Sequence, residues 1–91
     1  MPTIAFFYGI AIRMFFNDHA PAHIHAYHDG KEAKFDIETG EMTAGRIGAR
    51  QRRVVQRWIL MYNRELNAAW NAVRNDETPE RIPGPDADND N

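Results

Sequence analysis

The sequence contains no cysteine. This absence excludes a disulfide framework and thiolate catalysis, and it restricts any metal site to histidine and carboxylate ligands. Because such a chain suits a reducing compartment, we expect a cytoplasmic protein. Long apolar runs are absent too: the most apolar stretch, residues 4–16, is interrupted by Arg13 and is shorter than the roughly 20 residues that span a bilayer. The first residues resemble no signal peptide, so we expect no membrane partner.

Large apolar side chains are scarce after residue 74. Residues 75–91 contain one large aliphatic residue, Ile82, with three prolines, six acids and one arginine, a net charge of −5. Such a segment buries too little apolar surface to offset its loss of conformational entropy. We therefore predict a single domain over residues 1–74 and a disordered acidic tail over residues 75–91.

The first half of the chain has the composition of short strands. Strand-like runs cover residues 3–8, 10–16, 23–28, 31–38 and 41–44. Gly9 is either a turn between two strands or a bulge within one, whereas Asp29-Gly30 predicts a two-residue hairpin. Over residues 31–38 the strict alternation of apolar and polar side chains is typical of a half-buried strand.

The second half of the chain has helical periodicity. From residue 49 to residue 74 apolar residues recur at i, i+3 and i+4 spacing. The predicted fold class is therefore α+β, with an N-terminal antiparallel sheet of four to five strands packed on one long C-terminal helix. A break near Asn63, which would divide this helix into two, is the alternative.

All four histidines lie within ten residues of one another: His19, His23, His25 and His28. On a strand, His23 and His25 project from the same face, and His19 can fold back across the preceding turn. This spacing suits a divalent transition metal such as Zn, Ni, Fe or Mn, with His19, His23 and His25 as nitrogen ligands and Asp18 or Asp29 as an oxygen ligand. Two other interpretations stay open. Asp18, His19, His23 and His25 could catalyse general acid–base chemistry without a metal, or Asp18 and His19 could simply brace the turn.

Five arginines follow one another at intervals of 4, 3, 4 and 7 residues: Arg46, Arg50, Arg53, Arg57 and Arg64. On a single helix they would project within an arc of roughly 60°, because each residue turns the helix by about 100°. Arginine binds phosphate and carboxylate oxygens with a planar fork of donors. This arginine stripe is therefore a candidate surface for RNA or DNA, for an acidic partner protein, or for the chain's own acidic tail; a solvated helix face is the alternative.

Three motifs resemble a known family. They are FYGI at residues 7–10, NDH-x-P-x-H-x-H at residues 17–25 and D-I-x-T-G-E at residues 36–41, followed by a helix that carries Trp58 and Trp70. This pattern is similar to a bacterial family of small proteins known as domain of unknown function 4160. The resemblance implies that Asp18, His19, Pro21, His23 and His25 belong to the family signature, and it implies a toxin–antitoxin-like context. It implies no established activity.

Three functions follow as hypotheses, and whether the protein is an enzyme stays open. The first is a binding or regulatory component of a toxin–antitoxin-like two-gene system, acting through a small partner protein and through RNA or DNA. The second is a small histidine-dependent or metal-dependent hydrolase of nuclease type that uses His19, His23 and His25. The third is a structural or oligomerising subunit, such as a homodimer, without an active site.

Overall fold

The computed structural model describes residues 2–16 and 18–86, which form five strands followed by two helices. The strands are β1 (Thr3–Phe7), β2 (Ile10–Arg13), β3 (His23–His28), β4 (Lys31–Asp36) and β5 (Met42–Gly45). The helices are α1 (Ala49–Met61) and α2 (Asn63–Arg74). The strands form one antiparallel sheet in chain order, so each pairs with its neighbour in sequence. The predicted α+β class with an antiparallel sheet is confirmed.

Two tight turns set the register of the sheet. Tyr8 and Gly9 have φ values of 52° and 76°, and Asp29 and Gly30 have φ values of 54° and 75°. Two successive positive φ angles are typical of the two-residue turns whose twist matches that of the adjoining strands. The Asp29-Gly30 hairpin is confirmed, and Gly9 belongs to a turn rather than to a bulge. The second hairpin pairs His28 with Lys31, and this pairing determines every other β3–β4 partner.

The sheet buries one face and leaves the other partly open to solvent. Ile24, Ala26, Ala33 and Phe35 are at most 1% exposed and belong to one core cluster with residues of both helices. The alternate positions on the same strands are half-buried or exposed, except His23, which is buried. We call the second surface the outer face. It carries most of the polar strand residues, because successive side chains of a strand point to opposite sides.

The C-terminal half consists of two helices, so the prediction of one long helix is wrong and the alternative, a break near Asn63, is confirmed. Tyr62 separates them with φ −111° and ψ 34°. Asn63 then donates a hydrogen bond from Nδ2 to the main-chain oxygen of Ile37 at 2.7 Å, which ties the start of α2 to the end of β4. Two i to i−4 hydrogen bonds, from Tyr62 to Trp58 and from Leu66 to Tyr62, continue through the break, so the two helices remain connected by helical main-chain bonding. Neither helix is long and apolar enough to cross a membrane, in the described ranges.

Residues 75–86 return along the body of the domain. Helix α2 ends in a Schellman arrangement, in which Glu77 donates to the oxygen of Ala72 and Asp76, with φ 59°, donates to that of Val73. Beyond it, Pro79 is buried and Ile82 is 6% exposed. Part of the segment that we predicted as a disordered tail therefore contributes to the core. Residues 87–91, which complete that prediction, lie outside the described residues.

The returning segment binds one edge of the sheet. The amide of Ile82 donates to the main-chain oxygen of Ile4 at 2.7 Å, and Ile4 lies on β1, an edge strand. Trp58 donates from Nε1 to the oxygen of Pro83 at 2.8 Å. Edge strands expose unpaired main-chain groups, so a segment that binds one protects the sheet from pairing with other chains.

Candidate metal centre

Three side chains converge at one end of the sheet. His23 and His25 alternate along β3, and Asp18 reaches them from the turn after β2, where its amide donates to the oxygen of Phe15 at 3.2 Å. Asp18 Oδ2 lies 3.1 Å from His23 Nε2 and 3.2 Å from His25 Nε2. The three potential ligand atoms lie within 4.8 Å of one another. We call Asp18, His23 and His25 the histidine–aspartate cluster.

Each imidazole uses its other nitrogen for a hydrogen bond within the fold. His23 Nδ1 lies 2.7 Å from the main-chain oxygen of Pro21, and His25 Nδ1 lies 3.2 Å from Glu32 Oε2. The main-chain oxygen of Pro21 can only accept a hydrogen bond, so His23 Nδ1 carries a proton, whereas His25 faces a carboxylate at each ring nitrogen, Glu32 at Nδ1 and Asp18 at Nε2. In the neutral form of His23, Nε2 then carries only a lone pair, whereas the one N–H of a neutral His25 can reach only one of its two carboxylates.

The cluster therefore brings electron-rich atoms together. Both Nε2 atoms lie 3.1–3.2 Å from one carboxylate oxygen of Asp18. The contact of neutral His23 Nε2 with this carboxylate repels unless a positive charge lies between the atoms, either as an extra proton on the imidazole or as a metal ion. Metal-bound histidines commonly donate the second ring nitrogen to a carboxylate or a main-chain carbonyl, and both kinds of partner occur here. The donor set thus fits a divalent transition metal.

The spacing and the exposure of the cluster agree with this chemistry. A tetrahedral ion with bonds of about 2.0–2.1 Å holds its ligand atoms roughly 3.3 Å apart. The observed nitrogen–oxygen separations are 3.1 and 3.2 Å, and the two histidine ligand nitrogens lie within 4.8 Å of each other. The side chains of His23, His25 and Asp18 are 8%, 15% and 23% exposed, so the cluster is shielded without being sealed. Three protein ligands would leave a coordination position open, as in catalytic zinc sites.

A second layer of side chains supports His25 on the outer face. Tyr27 donates its hydroxyl to Glu32 Oε2 at 3.1 Å, which is the oxygen that accepts from His25. The guanidinium of Arg13 lies 4.7 Å from the centre of the Tyr27 ring. Burial raises the pKa of the Tyr27 phenol, and the hydrogen bond and charge of Glu32 raise it further. Tyr27 therefore remains a protonated donor at neutral pH.

Two aromatic rings fix the orientation of the imidazoles. Phe15 lies edge-on to His25, with ring centres 4.6 Å apart. Trp70, on α2, lies 5.2 Å from His23. Packing of this kind limits the rotamers of both ligands, which a metal centre requires if the ligand atoms are to converge without large rearrangement.

The sequence-predicted residues divide into two groups. Asp18, His23 and His25 are brought together, whereas His19 is exposed and takes no part in the cluster. Asp29 lies in the β3–β4 turn and contributes no oxygen, so of the two carboxylates considered only Asp18 is placed to serve. His28 lies at the far end of β3, beside Gly9.

Glu32 was missed by the sequence reasoning. A signal for it was present, because the Asp29-Gly30 hairpin pairs Tyr27 with Glu32 and His25 with Lys34. Glu32 is then the diagonal neighbour of His25, within reach of a long side chain. The hairpin register could have identified this contact from the sequence.

The arginine stripe is divided between two helices and the segment that precedes the first of them. Arg50, Arg53 and Arg57 lie on α1, whereas Arg46 precedes this helix and Arg64 belongs to α2. The five arginines therefore do not share one helix, because α1 begins at Ala49, after Arg46, and the break at Tyr62 separates Arg64 from the others. All five arginines are exposed, and in the described part of the chain none forms an ion pair.

Fold and site together define a small α+β protein with a histidine–aspartate cluster at one end of its sheet. The chain belongs to the family described as domain of unknown function DUF4160, whose family model matches residues 9–71. The matched range includes the whole cluster and most of both helices. Neither the curated proteins nor the solved structures contain a match to this chain.

Proposed function

We propose that this protein binds a divalent transition-metal ion through Asp18, His23 and His25 and uses it in a hydrolytic reaction. The observation that supports the proposal is the approach of two Nε2 atoms to one carboxylate oxygen while both Nδ1 atoms are engaged elsewhere. Imidazole and carboxylate ligands suit Zn, Ni, Fe or Mn. When bound, such an ion polarises a carbonyl or phosphoryl oxygen as a Lewis acid.

The residues of the chain have separate roles in this proposal. His23 and His25 supply neutral nitrogen ligands, and Asp18 supplies a negative charge that offsets part of the charge of the ion. His19 directly follows Asp18 and is exposed, so we propose it as the group that transfers a proton to or from the substrate. The substrate would approach from the solvent side, where Asp18 and His25 keep part of their surface exposed.

Metal binding can be tested by substituting the four histidines one at a time, so that the two outside the cluster serve as controls for the two within it. We expect purified protein to bind Zn²⁺ or Co²⁺ at one equivalent in isothermal titration calorimetry, with the metal content checked by elemental analysis. His23→Gln, His25→Gln and Asp18→Asn should lose most of this affinity, whereas His19→Gln and His28→Gln should retain it. Absence of binding by the wild-type protein, or equal binding by His23→Gln and His28→Gln, would reject the proposal.

Hydrolysis requires a separate experiment. Metal-loaded protein is incubated with mixed RNA and with nitrophenyl esters of phosphate and acetate, alongside the His23→Gln variant. Turnover that depends on both the metal and His23 supports a hydrolase. Equal turnover by both proteins points to a contaminant, and binding without turnover reduces the proposal to metal binding.

A second candidate function is partner binding in a toxin–antitoxin-like two-gene system. It is supported by the exposed arginines on α1 together with exposed apolar side chains nearby: Tyr8 is 58% and Met61 is 51% exposed, and both line a groove with Arg57. Tyrosine, methionine and arginine are enriched in protein interfaces. Nucleic acid is the other ligand that we proposed for these arginines.

A salt titration separates the ligands of the arginine surface. Binding to RNA or DNA should weaken steeply as salt rises, and Arg50→Glu with Arg57→Glu should abolish it, whereas Arg74→Glu serves as the matched control. A response that is flat with salt would exclude phosphate contacts and leave an acidic protein. Sedimentation of the same samples reports whether the chain forms a homodimer.

A further inference from the structure

We infer that Glu32, held by Tyr27, is a positioning residue that selects which nitrogen of His25 faces the metal. The inference rests on the proposed metal site and goes beyond its three ligands. It concerns the choice between two ring nitrogens that are chemically similar in a free imidazole. The contacts that carry it lie on the outer face, on the side of His25 away from Asp18.

His25 is the only member of the cluster that lies between two carboxylates, within the described part of the chain. Its Nε2 is 3.2 Å from Asp18 Oδ2, and its Nδ1 is 3.2 Å from Glu32 Oε2. A neutral imidazole has one N–H and can satisfy one of these carboxylates. If the proton resides on Nε2, it binds Asp18 and removes the lone pair that an ion needs. If the proton resides on Nδ1, it binds Glu32 and leaves Nε2 available.

His23 and His25 differ in the group that holds the proton on Nδ1. The partner of His23 is the main-chain oxygen of Pro21 at 2.7 Å, which has no charge and cannot be replaced by a side-chain substitution. The partner of His25 is a carboxylate on a neighbouring strand, and its side chain is 53% exposed. An exposed glutamate has several accessible rotamers, so something must hold it toward His25.

Tyr27 provides that restraint. Its hydroxyl donates at 3.1 Å to the same Oε2 atom that accepts from His25. Tyr27 and Glu32 are directly paired across β3 and β4, and His25 is diagonal to Glu32. Two donors on the same face of β3, His25 and Tyr27, therefore converge on one carboxylate oxygen of Glu32 on β4. The carboxylate is oriented by the tyrosine and in turn orients the imidazole, as second-layer carboxylates do in zinc proteins.

The test compares Glu32→Ala and Glu32→Gln with Glu38→Ala, in which an exposed glutamate outside this network is removed. Loss of a second-layer partner typically costs 10–100-fold in metal affinity. We expect Zn²⁺ affinity to fall by this factor in Glu32→Ala, to recover in part in Glu32→Gln, whose amide oxygen can still accept, and to stay unchanged in Glu38→Ala. Tyr27→Phe should give a smaller loss than Glu32→Ala.

Nitrogen NMR supplies a readout that a purely structural role would not change. In zinc-loaded wild-type protein the His25 ring should be protonated at Nδ1, and in Glu32→Ala the Nδ1 proton should exchange rapidly or the ring should coordinate through Nδ1. Unchanged affinity and an unchanged ring signal in Glu32→Ala would overturn the inference, as would an equal loss in Glu38→Ala.

The metal-free protein distinguishes failure of this inference from failure of the metal site. Without metal, Glu32→Ala should still release the His25 ring, which is seen as loss of its cross-relaxation with Phe15 at a ring separation of 4.6 Å. If the wild-type protein binds no metal and Glu32→Ala nevertheless loses this contact, the proposed function is refuted and the positioning role is retained. Retention of the contact in Glu32→Ala refutes the positioning role alone.

Discussion

The indole nitrogen of Trp58 donates a hydrogen bond to the main-chain oxygen of Pro83, 25 residues further along the chain, at 2.8 Å. Trp58 is fully buried, and without this bond its N–H would lack an acceptor inside the core. The C-terminal segment is therefore part of the folded unit, because it completes the hydrogen bonding of the largest core side chain. Stability should depend on residues well beyond the end of α2.

Replacement of Ile82 by alanine tests this dependence. Ile82 is 6% exposed and packs in the main core cluster. Truncation of a buried isoleucine to alanine usually lowers the free energy of unfolding by about 2–5 kcal/mol, and we expect a value in this range. Chemical denaturation of Ile82→Ala and of Arg81→Ala, the exposed neighbouring control, provides the measurement. Equal stability of the two variants would show that the segment does not contribute to the core.

Gly45 and Gly30 form a matched pair for a backbone prediction. Their φ angles are +74° and +75°, so alanine is strained by the same left-handed conformation at both positions. A Cβ atom on Gly45 would overlap the main-chain oxygen of Glu32, whereas one on Gly30 would meet nothing within 4 Å. Gly30→Ala should cost about 1–2 kcal/mol, and Gly45→Ala should cost distinctly more. Thermal and urea denaturation of both variants measure the loss of stability. An equal loss in the two variants would refute the close approach of Gly45 to the main chain of Glu32.

The titration of Tyr27 should report the arrangement of the outer face. Burial, followed by the hydrogen bond and charge of Glu32, raises the Tyr27 pKa above its ordinary value near 10. A raised phenol pKa favours the protonated form in the folded state, so its contribution to stability is complete below the ordinary pKa and is lost as pH rises through the raised one.

Glu32→Gln should therefore lower the Tyr27 pKa, and Arg13→Gln should raise it, because the positive charge of Arg13 opposes the shift. Carbon NMR of the tyrosine ring across alkaline pH measures both changes, with Tyr27→Phe identifying the signal. A shift of the same sign in both variants would contradict the described contacts.

Metal ions should stabilise the protein in a pH-dependent manner. A ligand that binds only the folded state at about 100 times its Kd adds roughly 2.7 kcal/mol to the free energy of unfolding. We expect Zn²⁺ to raise Tm near pH 7.5 and to have little effect near pH 5, since protons compete for the ligand nitrogens. The His23→Gln variant should show no increase at either pH. An increase that is identical in wild type and His23→Gln would assign the effect to another site.

Much of the fold follows from local sequence patterns. The alternation at Ala33, Phe35 and Ile37 predicts the buried face of β4 and of the residue that follows it, and all three are at most 1% exposed. Asp29-Gly30 predicts its hairpin, because a turn with two positive φ angles depends on those two residues. The helical spacing of apolar residues does not mark the break at Tyr62, since the apolar face of α1 continues in phase onto α2.

The cluster was recognised only in part. The spacing of His23 and His25 places both on one face of a strand, which is a property of strand geometry and needs no tertiary information. Two points could be decided only from the path of the turn after β2: that His19 lies outside the cluster, and that Asp18 rather than Asp29 supplies its carboxylate. No periodicity describes that path, because turns lack a repeating pattern.

Residue types and their spacing were enough to establish the strand alternation, the hairpin at Gly30, the amphipathic helical region and the shared face of His23 and His25, because these depend on neighbours within a few positions. The meeting of Asp18 with two Nε2 atoms, the Glu32–Tyr27 support and the return of Ile82 to β1 arose only on folding. They bring together atoms from separate elements, and their distances depend on how the whole chain packs rather than on any local preference.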